Sequence, residues 1–391
     1  MKQYFSDLHI HIGRVKGLPV KITGAKNLTF KNIVEESITR KGLDIIGIID
    51  SGSPLVLQEI NEMLEKGELE ELRDGGLLYK DKITVILGSE VETIEDGGGR
   101  AHSLCYFPYL EQMRIFSKEM THYIKNINLS SQLCYMNART LLSIVEKIGG
   151  ILIPAHAFTP HKSFYGSVCN RLSEIFPEDM FKKIPAIELG LSADSDFASR
   201  IFELKEKAFL SNSDAHSLSK IAREYNIFKM ESPTFRELVL AMKRENGREI
   251  KANYGLDPRL GKYHRTRCME CSYVSKEEPP VLICPKCGGE NVVLGVLDRI
   301  TIIQDSPDGL PERKNSYFYQ IPLEFIPNIG PKTIRILLDN FGSEMNILHK
   351  VSELELEKVL GRSLAEKIVC AREGKLDIIP GGGGIYGKIS I

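Results

Sequence analysis

Residues 4–12 read YFSDLHIHI, and the alternation within them decides how the rest of the chain is to be read. Residues i, i+2 and i+4 of a strand share one face. The spacing therefore predicts a β-strand on which Asp7, His9 and His11 project together while Leu8, Ile10 and Ile12 pack on the other side. Two imidazoles and a carboxylate so placed can chelate a metal ion, with the spare carboxylate orienting a ligating histidine through its second nitrogen.

Working outward, short apolar, β-branched runs recur at Leu43 to Asp50, Ile83 to Val91, Ala101 to Phe107, Ile151 to His156, Ala186 to Leu191 and Ala208 to Ser213. Being apolar nearly throughout, they suit strands buried on both faces. Leu28 to Arg40, Val56 to Glu71, Ala138 to Ile148 and Phe197 to Lys207 carry helical spacing between them, and one more helix is expected from Phe235 to Lys243. The pattern is mostly βα repeated, so an α/β fold with a (β/α)7 barrel is the economical solution. Functional groups of α/β barrels gather at the C-terminal ends of strands. Asp50 ends the second run, Glu90 the third and His156 the fifth; His102 follows the Gly97 to Gly99 turn, and Asp214 and His216 follow the seventh run. Five of the nine histidines fall at such positions, which coincidence explains poorly. So many imidazoles and carboxylates exceed the needs of one ion. Glu90 and Asp214 suit bridging between two ions roughly 3.5 to 4 Å apart, as metal-assisted phosphoester cleavage requires. The donor set suits zinc, manganese or iron, with magnesium possible.

A chain of 391 residues exceeds the usual size of a single core, so two or three domains are expected. With 42% hydrophobic and 26% charged residues, wholesale disorder is excluded. Lys plus Arg (51) and Asp plus Glu (52) cancel, which excludes a globally basic coat and leaves local patches as the routes to nucleic acid. No long uninterrupted apolar run and no basic-then-apolar start is present, so neither a membrane span nor a secretory signal is expected, and the cytoplasm is the default location.

Cys268, Cys271, Cys284 and Cys287 form two C-x2-C pairs, the spacing of a four-thiolate structural zinc site. Cys105, Cys134, Cys169 and Cys370 are scattered and read as reduced thiols. Just before the paired cysteines, Arg259, Lys262, Arg265 and Arg267 crowd together as a candidate track for DNA phosphates. Residues 326–342, IPNIGPKTIRILLDNFG, have the pattern of a helix-hairpin-helix: a tight turn at Asn328 to Gly330, then a helix near Pro331 whose free N–H groups face a phosphate, with Lys332 adding a charge. Val359 to Ile368 looks like a second, poorer hairpin. Gln320 to Phe325 (QIPLEF) has the form of a sliding-clamp-binding peptide, although its apolar residues also suit packing under the hairpin. The expected units are a barrel over 1–255, a zinc-binding module with connector over 256–318, a helical DNA-binding domain over 319–375 and a flexible glycine-rich tail over 376–391.

DLHIH, GLDIIGIID, GSEVE, HSLCYF, PAHA and SDAH, in that order, resemble the polymerase and histidinol phosphatase (PHP) superfamily. That resemblance implies a seven-stranded barrel around two or three metals, with His9, His11, Asp50, Glu90, His102, His156, Asp214 and His216 as ligands. The usual Asp-His pair after the second strand is Asp50-Ser51 here, which removes one ligand and puts a third metal in doubt. With the zinc module and hairpins attached, the whole chain resembles the endonuclease Q family. This second resemblance implies a nuclease that nicks damaged double- or single-stranded DNA on the 5′ side of hypoxanthine, uracil, probably xanthine, and abasic sites. Glu90, Asp214 and His216 are then the catalytic candidates, and Phe158, Phe164 and Tyr165, in the loop after His156, are candidates for stacking on an everted base. Two rival readings are a phosphomonoesterase acting on a small nucleotide or metabolite, which needs neither the zinc module nor the hairpins, and an inactive DNA-binding scaffold, which need not keep so full a ligand set.

Overall fold

The structure, a computed structural model, describes residues 1–310, 317–375 and 377–390. All seven apolar runs form strands: β1 (Lys2–Ile10), β2 (Ile45–Ile48), β3 (Ile83–Ile94), β4 (Arg100–Phe107), β5 (Ile151–Pro154), β6 (Ala186–Glu188) and β7 (Ala208–Leu210). Three more complete the framework, β8 (Tyr225–Met230), β9 (Glu249–Gly255) and β10 (Tyr317–Tyr319). β1, β2 and β3 are parallel neighbours. β1 and β2 approach so closely that a Cβ on Gly47 would lie 2.2 Å from the Leu8 carbonyl oxygen.

The βα repeat is only part of the plan. β3, β4 and β5 pair antiparallel in sequence, and β8 and β9 extend the sheet from the far edge of β1, with β10 added parallel to β9. β6 and β7 form their own parallel ladder. Bonds from the Ala157 N–H to the Glu188 carbonyl (2.9 Å) and from the His156 N–H to the Glu188 carboxylate (2.8 Å) tie that ladder to the chain leaving β5. At its other side the Ile10–Ala215 bridge, with N–H···O distances of 3.1 Å on both sides, joins the chain leaving β7 to the end of β1. Leu8, Ile45, Ile86, Leu104, Ile153, Ala186 and Leu210, one from each of β1 to β7, make a buried apolar layer. Functional side chains stand at the strand ends above it.

The helix over Ala138–Ile148 has the expected bounds because its ends are chemically marked: the Asn137 side chain accepts the Thr140 N–H, and Gly149 leaves in the left-handed region. Phe235–Lys243 likewise matches. Elsewhere the reading needs correction. The helix expected over Val56 to Glu71 runs over Pro54–Glu65 and gives way to a small hairpin, Leu69–Glu71 with Leu77–Tyr79. The one expected over Phe197 to Lys207 is a short helix, Ser195–Ser199, and a single turn, Phe202–Leu204. A helix over Leu110–Met120 went unread.

Beyond β9 the paired cysteines lie around a two-stranded ladder, Arg267–Cys268 with Val292–Val293. The helix Val296–Ile303 then fastens this module to the first: Arg299 donates to the carbonyls of Tyr165 (2.7 Å) and Cys169 (3.0 Å). Helices over Pro331–Phe341, Glu344–His349, Glu353–Leu360 and Arg362–Arg372 follow, and Glu344 pairs back to Arg40 and Lys41. The tail, expected as a flexible glycine run, is instead ordered: Asp377–Ile379 pairs with Lys388–Ser390, and the glycines between them lie on the backbone of residues 259–265. Among the described residues no helix is long and apolar enough to cross a membrane.

Glu224, fully buried at the start of β8, accepts the Leu256 N–H with one oxygen (2.8 Å) while the other has no partner. Burial, aided by the Glu188 and Asp7 carboxylates and opposed by the Leu256 N–H and Arg223, pushes its carboxyl from an ordinary 4.5 up to about 8. Below pH 4.5 both folded and unfolded chains hold this proton. Between the two values only the folded chain holds it, so stability falls as pH rises. Glu224→Gln should therefore stabilise the chain relative to wild type by about 1 kcal/mol or more at pH 8.5 and by less at pH 5. Thermal unfolding at both pH values checks this, and a gain independent of pH would contradict it.

Candidate metal centre

His9 and His11 leave β1 with both imidazoles fully buried, and each is gripped on one side only. His9 Nδ1 donates to Glu188 (2.9 Å) and His11 Nδ1 donates to Asp50 (3.1 Å). Their Nε2 atoms are buried without any hydrogen-bond partner. An orphaned buried polar atom costs about 1–3 kcal/mol, and both of these point at carboxylates: His9 Nε2 is 3.6 Å from Glu90 and 3.5 Å from Asp214, and His11 Nε2 is 3.7 Å and 3.4 Å from the same two groups. Oriented imidazoles with an unused nitrogen facing carboxylates are the donor set of a divalent metal.

Three overlapping groups have ligand atoms within 4.8 Å of one another: His9, His11 and Glu90; His11, Asp214 and His216; Glu90, His102 and His156. Seven of the eight expected barrel ligands thus converge, with His11 and Glu90 shared. The Ile10–Ala215 bridge explains why residues some 200 positions apart meet, since it sets the chain leaving β7 beside the end of β1. His156 (φ 30°) and Asp214 (φ 46°) both hold left-handed backbone, a conformation side-chain-bearing residues keep only where the surroundings impose it.

Asp50 is the exception. Its oxygens are taken by His11 Nδ1 and the Ile12 N–H (2.6 Å), so it orients a ligand and stands outside the three groups. Asp7 does not take the orienting role expected of it, because it accepts the N–H groups of Ser213 and Ala222; Glu188 fills that role for His9. Ser51 turns its hydroxyl to the Ile48 carbonyl (2.7 Å) and offers nothing to the cluster. On this side Lys21, unread in the sequence, donates to Glu90 (3.2 Å) and to Ser131 (2.6 Å). Glu92 was also missed and stands 3.3 Å from His102 Nε2. Only its two-residue spacing from Glu90 along β3 could have suggested it.

Electrostatics follow from this crowding. Burial works against a charged His9, but Glu188, Asp214 and Glu90 lift its imidazole to about 10. Burial likewise opposes ionisation of Glu90 and Asp214, yet His102 and Lys21 hold Glu90, and His11, His216 and His9 hold Asp214, well below the ordinary carboxylate range. The acids are ionised and ready to bind cations.

A cavity of about 190 Å³ opens beside the cluster, walled by His156, Asp214, Arg223, Lys262, Tyr263 and Tyr386. The aromatic residues expected to receive a base are not in it. Phe158, Phe164 and Tyr165 are at most 1% exposed, and Phe158 and Tyr165 stack on each other at 5.1 Å, so their faces are spent on the core.

The basic stretch is also corrected. Arg259 chelates Asp257, Arg265 pairs with Asp298 and the Glu277 carbonyl, and Arg267 donates to the Gly383 carbonyl. Of the four, Lys262 alone turns to the cavity. Asn328 (φ 70°) does take the left-handed turn, and Gly330 and Lys332 are exposed at the start of the Pro331–Phe341 helix. What precedes the turn, however, is a single 3-10 turn, Leu323–Phe325, in place of a full first helix. Gln320, Ile321 and Leu323 are buried, which leaves no free peptide there for a clamp to bind.

The four paired cysteines converge, with Sγ–Sγ distances of 3.6 Å for Cys268–Cys287 and for Cys271–Cys284. Tetrahedral Zn–S bonds place sulfurs roughly 3.8 Å apart, so the cluster fits zinc. Cys284→Ser should lose one chelation-resistant zinc per chain; elemental analysis after mild chelation checks it, and an unchanged zinc count would speak against a four-thiolate site.

Fold and site together define a protein whose strand ends gather histidines and carboxylates that could hold divalent metals. No family model matches the chain. It is 46% identical over 395 residues to the uncharacterized protein YqxK of Bacillus subtilis (strain 168), with all of both chains covered. Among solved structures it is similar to the lesion-specific endonuclease PfuEndoQ of Pyrococcus furiosus (TM-score 0.84, 34% identity, 100% of this chain and 96% of that one). It is also similar to endonuclease Q in complex with a 27-mer duplex substrate carrying an abasic lesion at the active site (TM-score 0.83, 33% identity, 100% and 97%). The chain belongs to the endonuclease Q family and is an enzyme of the DNA-hydrolysing class.

Proposed function

We propose that the chain nicks DNA on the 5′ side of a damaged nucleotide, taking deaminated bases (hypoxanthine, uracil and xanthine) and abasic sites as substrates. The observation that carries this reading is the adjacency of two features, a seven-residue ligand cluster and a cavity that shares His156 and Asp214 with it. One site can then act on a phosphate while its neighbour receives the nucleotide next to that phosphate. The abasic lesion in the described complex of the related endonuclease Q supports the same reading.

Divalent ions, two in this reading, supply Lewis-acid polarisation of the phosphate and of the attacking water when bound. The residues do the rest. Glu90 and His11 link the ligand groups, Asp214 joins His11 and His216 in one of them, Glu188 and Asp50 fix the tautomers of His9 and His11, and His216, more than a third exposed beside Asp214, is open to an incoming strand. Lys262 and Arg223 add positive charge at the cavity wall for the backbone flanking the lesion. Gly330 and Lys332, exposed at the start of the Pro331–Phe341 helix, would hold undamaged duplex through its phosphates.

Asp214→Ala should reduce nicking more than tenfold yet leave duplex affinity within about threefold, because the carboxylate serves the metals and the C-terminal helices serve binding. Single-turnover cutting beside a binding isotherm checks both, and near-normal cutting would remove Asp214 from the site. If the nucleotide is everted into the cavity, uracil opposite guanine should be cut faster than uracil opposite adenine, and single-stranded uracil DNA should be cut as well, since eversion is easiest where pairing is weak. Equal rates on the two pairs, with intact single strands, would mean the helix is read without eversion.

A further inference from the structure

The tail over residues 377–390 is built into the wall of the cavity. Gly381 N–H donates to the Arg259 carbonyl (2.7 Å), Gly384 N–H to that of Lys262 (2.9 Å) and Gly387 N–H to that of Leu260 (2.9 Å). This is backbone laid on backbone, and it explains the glycines. A Cβ on Gly381 would stand 2.6 Å from the Gly261 oxygen, one on Gly387 2.6 Å from the Arg259 oxygen, and one on Gly382 2.5 Å from the Val274 side chain. The sequence therefore spends side chains to bring this segment close, and what it delivers is Tyr386.

Tyr386 lines the cavity together with His156 and Asp214. Its hydroxyl accepts from Arg223 (2.9 Å), and the same guanidinium donates to the carbonyls of Ser213 (2.7 Å) and Asp214 (3.3 Å). One arginine thus fixes the ring relative to the strand end that carries a metal-ligand candidate. Lys262 Nζ lies over the rings of Tyr386 and Tyr263, 5.9 Å and 5.1 Å from their centroids, and Phe325 meets Tyr386 edge-on at 6.4 Å. An aromatic ring held at its hydroxyl, half-buried and set beside a cationic wall is suited to stacking on a planar base.

Resting on the proposed cutting at deaminated bases, we propose that the glycine-rich tail is the specificity element of the cavity, holding Tyr386 as the stacking face for the everted base. An abasic nucleotide has no ring to stack, so the tail should matter for one substrate and not for the other.

The test uses full-length, metal-loaded protein in single-turnover cutting of two duplexes, one with uracil opposite guanine and one with an abasic site. Tyr386→Ala should slow uracil cutting about tenfold or more and abasic cutting less than about threefold. Tyr386→Phe, which keeps the ring, should retain most uracil cutting. Gly382→Val, which drives a side chain into Val274, should unseat the tail and repeat the Tyr386→Ala pattern. Equal slowing on both duplexes, no slowing on either, or a Phe variant as poor as Ala overturns the role of the tail. Wild-type protein that cuts the abasic duplex and ignores uracil in every pairing instead overturns the deaminated-base reading itself, and the proposal with it.

Discussion

Burying the Glu90 carboxylate within β3 is unfavourable by several kcal/mol unless cations and donors surround it, and the site consists of what surrounds it. His102 and His156 approach one oxygen at 2.9 and 3.4 Å, Lys21 and Ser131 donate to the other, and the open nitrogens of His9 and His11 complete the shell. These groups come from several separate parts of the chain, so the strands must meet in one order for Glu90 to be tolerated. Ladder β3–β4 supplies His102, the chain leaving β5 supplies His156 and β1 supplies the histidine pair. A fold that misplaced any of them would leave a bare charge in a dry interior.

Much of this was legible because it is periodic. The DLHIH alternation exposes a metal-binding strand whatever surrounds it, and the apolar runs locate all seven strands because strands covered on both sides need continuous hydrophobicity. The C-x2-C pairs are equally plain, since thiolate spacing fixes the turn that makes the site. What stayed hidden depends on partners distant in sequence. Asp50 reads as a ligand until His11 Nδ1 and the Ile12 N–H are seen to occupy it. Lys21 sits between Val20 and Ile22 in a short Gly- and Pro-flanked stretch that marks no ligand, and only the folded chain carries it to Glu90.

The basic cluster and the aromatic loop failed for a related reason. A run of arginines looks like a free surface when the acids and carbonyls that will bind it lie elsewhere. Asp298 for Arg265 is 33 residues on, and the Gly383 carbonyl for Arg267 is 116 residues on. Phe158, Phe164 and Tyr165 follow a ligand in sequence, but large rings near a strand end are as useful to the core as to a substrate, and here the core takes them. Meanwhile a glycine run that resembles a loose end proves to be a close-packed strap, because absence of side chains serves intimacy as readily as freedom.

The left-handed backbone at His156 and Asp214 has a consequence for how such a chain can evolve. Each such position costs about 1–3 kcal/mol, somewhat less for Asp, which the surrounding packing must offset. Glycine at either position would relieve it and remove a ligand at the same step. Selection for heat tolerance alone thus leads away from a working centre, and a lineage freed from the need to cut DNA would drift toward a sturdier, silent protein.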